Sequence, residues 1–146
     1  MPAPFSSEDQ IHRIGLGLLD RSLPKPEWTH AAHFAAAFWL MRTRAELDPM
    51  VHMPGLIRAY NEATGVANTP TAGYHETITL ASLRAARAEF ERHAPSVPVH
   101  KIANALMASP LGRSDWLLIY WSKALLFSPV ARRSWIDPDL QAFPFP

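Results

Sequence analysis

The stretch T-H-A-A-H-F-A-A-A-F-W-L-M-R-T-R-A-E-L, residues 29–47, decides the fold. Thr29 is a good N-cap, because its hydroxyl can accept one of the amide hydrogens that a helix start leaves unpaired. The three turns after it are apolar nearly all round, the pattern of a helix at the centre of a bundle, so this segment is expected to be the most buried element. Its apolar run, residues 31–41 with His33 as the only interruption, is well short of the roughly 18–20 residues that span a bilayer. The second apolar run, residues 116–127, is short as well and is broken by Ser122 and Lys123. Both read as core helices.

The flanking segments follow the same period. Most of the 14 prolines fall between stretches of helical spacing, and alternating strand patterns with hairpin dipeptides are missing. A first helix is expected over residues 7–21, with Ser7 and Gln10 spaced as a capping box and Ile11, Ile14 and Leu18 facing inward; Gly15 and Gly17 make it weak in isolation. A third runs from Asp48-Pro49 to Gly65, with Pro54 either kinking it or marking its true start. Residues 66–73 form a loop, and further helices are expected over residues 74–93, 98–108 and 114–127. A short turn opens at Ser128-Pro129, and the proline-rich residues 136–146 lie extended over the bundle. The fold class is all-α: a single-domain bundle of about six helices with an extended tail.

Composition narrows the functions. A chain of 146 residues with 14 basic and 13 acidic side chains has a formal charge of +1, which gives no global field to gather nucleic acid or acidic lipid. The absence of cysteine excludes disulfides, thiolate metal sites and cysteine nucleophiles. No phosphate loop, dinucleotide glycine fingerprint or GxSxG elbow is present. The opening residues, MPAPFSSEDQ, carry acids before any base and lack the apolar stretch of a secretory signal, so a cytoplasmic protein is expected.

The seven histidines are the abundant groups that titrate or bind metal near neutral pH. His30 and His33 lie three positions apart in one helical turn, on the face that continues through Ala37, Leu40 and Met41. His75, in the first turn of the fourth helix, projects with Ile78, Thr79, Ser82, Ala86 and Phe90, and the small residues at 79, 82 and 86 allow a close helix neighbour. If that neighbour is the second helix, three imidazoles converge, a set that suits Zn and also Fe, Cu or Ni. Glu76 and Glu27 are the candidate proton-handling acids. Tyr60, Asn61, Tyr74 and Thr79 are candidate ligand-binding groups. The HxxH pair alone is weak evidence, since seven histidines in 146 positions give such a pair by chance in roughly a quarter of random orders. His75-Glu76 also fails as a zincin motif, because position 79 is Thr. His12, His52, His93 and His100 have no partners at ligand spacing and are read as surface.

Four segments carry a resemblance: W-T-H-A-A-H at 28–33, R-A-Y-N-E-A-T-G at 58–65, G-Y-H-E-T-I-T at 73–79 and L-F-S-P-V-A-R-R-S-W-I-D-P-D-L at 126–140. Together they resemble a group of small, largely uncharacterised bacterial helical proteins with HxxH, YHETxT and a terminal SPxARxxWxxPDL segment. The resemblance implies a helical fold, motif positions for His30, His33, Tyr74, His75, Glu76 and Thr79, and a tail packed near them; it carries no activity.

Two readings stand side by side. In one, His30, His33 and His75 hold a single transition metal whose bound water acts on a small molecule, with Glu76 or Glu27 handling protons. In the other, the same internal site binds a small apolar ligand without metal, or Trp116, Tyr120 and Trp121 form a homodimer contact.

Overall fold

The computed structural model describes residues 3–146 and contains no strand among them. Seven α-helices follow in order: α1 (Glu8–Leu19), α2 (His30–Thr43), α3 (Pro49–Ala63), α4 (Glu76–Glu91), α5 (Val99–Ala108), α6 (Lys123–Leu126) and α7 (Pro129–Arg133). Single 3-10 turns occupy Lys25–Glu27, Pro110–Gly112 and Trp116–Ile119. Among the described residues no helix is long and apolar enough to cross a membrane.

α2 is the central element. It packs against α1, α3, α4 and α5, and Phe34 through Leu40 are all buried, so it has no solvent face over those two turns. The Thr29 hydroxyl accepts the Ala32 amide hydrogen at 3.2 Å, as its position implied. The helix ends at Thr43 and not near Leu47. There the Thr43 hydroxyl bonds back to the Trp39 carbonyl at 2.6 Å, and the Leu47 amide turns onto the Arg44 carbonyl at 2.8 Å.

α1 reaches α2 through a glycine. The backbone at Gly15 lies against the Trp39 indole so closely that a Cβ would overlap the ring. Trp39 is itself fixed, its Nε1–H donating to His12 Nδ1 at 3.1 Å. His12 is therefore partnered, as are His93, which lies 2.8 Å from Glu89, and His100, 2.7 Å from Glu8; only His52 answers to the surface reading without a partner.

α3 starts at Pro49 beneath the Asp48 carboxylate, which accepts the Met50 amide hydrogen at 3.0 Å. It runs through Pro54 without a break, so Pro54 does not mark its start. It closes with a Schellman arrangement: Gly65 adopts φ +85°, its N–H reaches the Glu62 carbonyl at 3.2 Å, and Val66 N–H reaches Asn61 at 2.8 Å. At α5 the cap comes from elsewhere in the chain. Pro98 supplies no side-chain cap, and the two Glu8 oxygens accept from the amides of Val99 (2.9 Å) and His100 (2.6 Å).

The expected helix over residues 114–127 is interrupted, and the tail is the reason. Leu140 N–H takes the Tyr120 carbonyl at 2.9 Å, while Asp139 accepts from the Ser122 amide and hydroxyl, both at 2.7 Å. With those backbone groups engaged, residues 116–119 form a 3-10 turn and Ser122 starts a new short helix by capping Leu125 at 3.2 Å. The tail lies over Trp116, Tyr120 and Trp121, where Phe143 packs on all three rings. Trp121 is fully buried and Trp116 nearly so, which removes both from the surface expected to form a dimer contact.

Candidate functional site

A cavity of about 420 Å³ opens between α2, α3, α4 and residues 114–127. α2 contributes His30, His33, Phe34 and Ala37; α3 contributes Met53 and Ile57; α4 contributes Ile78, Thr79, Ser82 and Leu83. Trp28 and Trp116 add two indoles, and Phe127, 54% exposed, lies where the cavity meets solvent. The wall is chiefly apolar, with the imidazoles, the Thr79, Ser82 and Ser114 hydroxyls and the Asp115 carboxylate as its polar groups.

The hydrogen bonds fix the tautomer that each histidine takes as a neutral ring. A carbonyl only accepts, so His30 Nε2, 2.8 Å from the Leu111 carbonyl, carries the proton and leaves Nδ1 as an acceptor. His33 is the reverse: Nδ1–H donates to the Thr29 carbonyl at 2.6 Å and Nε2 keeps its lone pair. Its ring stacks on Trp28 with centroids 3.9 Å apart. Desolvation of the ring, with the neighbouring His30 acting in the same direction against the pull of the Thr29 carbonyl, lowers the imidazole pKa to about 4.

His75 is arranged differently. It is not in the first turn of α4 but is its N-cap, where Nδ1 accepts the Ile78 amide hydrogen at 3.1 Å. Nε2 must then carry the proton, which it donates to the Leu126 carbonyl at 2.6 Å. Both ring nitrogens are spent on the backbone, and no lone pair is left for a metal. α2 and α4 do pack together, as a shared centre requires, yet His75 is not in the cavity wall. Among the described residues no three His, Asp or Glu side chains are grouped to hold one ion. The expected three-imidazole centre for Zn, Fe, Cu or Ni is not assembled by this fold.

The expected acids lie elsewhere too. Glu27 is an exposed partner of Arg13, 2.8 Å away, and that pairing holds its carboxyl below the usual range. Glu76 accepts the Tyr74 hydroxyl and does not line the cavity. Burial, then the hydrogen bond to Glu76 and its charge, push the Tyr74 phenol well above its usual value. Tyr60 is buried with its hydroxyl on the Leu23 carbonyl at 2.7 Å, and Asn61 donates to Asn68 at 3.0 Å; neither lines the cavity. Of the four expected ligand-binding residues, only Thr79 is in this wall.

Two groups escaped the sequence reading. Thr77 is fully buried on the side of α4 away from the cavity; its hydroxyl lies 2.7 Å from the Ala131 carbonyl and 3.0 Å from that of Ser134, and accepts the Ile136 amide hydrogen at 3.2 Å. The apolar lining from α3 was missed as well, although Met53 and Ile57, four residues apart, share one helix face.

No family model, curated protein or solved structure matches this chain.

Burial lowers the His75 pKa below its ordinary value, and the nearby Arg132 charge acts in the same direction against the opposing pull of the Leu126 carbonyl. The unfolded chain takes up this proton near pH 6.5 and the folded chain only at lower pH. The stability this neutral ring contributes is therefore intact above pH ~6.5 and is lost as the pH falls from there through the folded pKa. His75→Asn, which retains a capping side chain but cannot titrate, is expected to show a smaller drop in urea midpoint between pH 7.5 and 5 than the unaltered protein. Equal drops would remove His75 as the cause.

Proposed function

We propose that the chain is a small-molecule-binding protein whose ligand, an apolar ring or branched chain with one hydrogen-bonding group, occupies the cavity between α2, α3 and α4. The observation that carries this reading is the cavity itself. At about 420 Å³ it falls within the size of ordinary ligand pockets, and it combines an apolar wall with a few convergent polar groups. The polar groups are of matched kinds. The unprotonated nitrogens, His30 Nδ1 and His33 Nε2, are available to accept, and the Thr79 and Ser82 hydroxyls can donate or accept. A phenol or alcohol fits this set, with its hydroxyl on an imidazole and its hydrocarbon body against Phe34, Met53, Ile57 and Trp116.

The two lining indoles provide the readout. Titration of the protein with p-cresol, cyclohexanol and 1-octanol is expected to change tryptophan fluorescence saturably for at least one of them, and to raise Tm in step. Ser82→Leu fills the cavity from α4 and is expected to weaken that binding at least tenfold while leaving the helical circular dichroism unchanged. No saturable response to any of the three, or an equal response in the Ser82→Leu protein, would overturn the proposal.

A further inference from the structure

A second, smaller cavity of about 240 Å³ lies between α3, the loop before α4 and α7, with walls from Arg58, Asn68, Tyr74, Arg132 and Arg133. Three arginines thus line one small space. Among the described residues none of the three pairs with a carboxylate, although Arg13, Arg44, Arg87, Arg92 and Arg113 each do. Glu76 is turned onto the Tyr74 hydroxyl and is not in the wall.

Two of the arginines are held in place. Arg58 lies over the Tyr74 ring, 4.2 Å from its centroid, and Arg132 Nη1 donates to the Gly73 carbonyl at 2.9 Å. Asn68 braces the loop between them, accepting the Tyr74 amide hydrogen at 2.9 Å and donating to the Arg58 carbonyl at 3.2 Å. Arg132 also carries a buried Nε–H with no hydrogen-bond partner. Buried donors are almost always paired, and guanidinium groups gathered around one space repel one another. The repulsion is relieved by an oxyanion brought from outside.

We propose that this cleft binds the phosphoryl group of a small phosphate monoester, with Arg58, Arg132 and Arg133 as its ligands. Three guanidiniums match a dianion with three free oxygens better than a carboxylate with two, and the fork of Arg is suited to bidentate contact with such a group. The site is independent of the larger cavity, and its test does not depend on what that cavity binds.

The experiment is calorimetric titration of the whole chain with inorganic phosphate, phenyl phosphate and benzoate at constant ionic strength. Arg132→Gln could disturb the loop through Gly73, so the informative variants are Arg58→Gln and Arg133→Gln, whose side chains are exposed and whose folding is checked by circular dichroism. Saturable binding of phenyl phosphate, weakened at least tenfold in each variant, is expected. Inorganic phosphate binding equally well would show that the phosphoryl group alone is read; weaker binding would show that the ester body contributes; both support the site. Benzoate binding as tightly as phenyl phosphate, no saturable heat with either phosphate, or unchanged binding in both variants would overturn it.

Discussion

Gly15→Ala is expected to destabilise the protein by about 2 kcal/mol, because the overpacking of a filled core, about 1–3 kcal/mol or more, outweighs what alanine gains in a helix. The gain is real: glycine inside a helix costs about 0.5–1 kcal/mol relative to alanine. At Gly15 the new methyl would overlap three atoms of the Trp39 indole, and that ring has nowhere to go. It is 2% exposed, tied to His12 at its nitrogen and covered by the Arg44 guanidinium 5.6 Å from its centroid. The same substitution at Gly55, in α3 with open space around the added atom, should raise stability by about 0.5–1 kcal/mol. Urea unfolding of the two variants tests both signs at once. Two shifts of the same sign would mean that helix propensity, and not the α1–α2 approach, governs Gly15.

Thr77→Val is expected to cost about 2–3 kcal/mol while preserving shape, since each buried backbone group stripped of its partner forfeits about 1–3 kcal/mol before relaxation. One hydroxyl serves the Ala131 and Ser134 carbonyls and the Ile136 amide, at the point where α7 passes into the tail. Thr77→Ser keeps the hydroxyl and removes a methyl, so it should lose only about 1 kcal/mol. Chemical denaturation ranks the two. A valine variant no worse than the serine one would show that the segment finds other partners.

The helical class, the central place of residues 30–43 and the caps at Ser7, Thr29, Asp48 and Ser128 were legible because each depends on neighbours in sequence. Period and capping are local. The break after Tyr120 was not legible, because it is made by Asp139 and Leu140, and no local pattern at residues 116–127 announces a partner that far along the chain. The histidines failed for a related reason. Spacing placed His30 and His33 correctly in one turn and in the cavity wall, but it assigned His75 to the inside of α4 when that residue is the cap. A two-residue shift of a helix start, from Tyr74 to Glu76, converts a candidate ligand into a backbone partner, and helix ends are the least sharply encoded part of a pattern. Thr77 was overlooked because it faces away from the stripe that holds Ile78 and Ser82, toward a segment that reads only as a turn.

The start of α5 is supplied by Glu8, 91 residues earlier than the Val99 amide it receives, and Phe5 nearby exchanges two hydrogen bonds with Asn104 at 3.1 and 2.7 Å. The first two amides of α5 are thus capped by a side chain from the start of α1 and not by the residue before the helix. Lifting residues 5–8 from the surface exposes the α5 amides in the same event, so two stretches remote in sequence open and close as one cooperative unit.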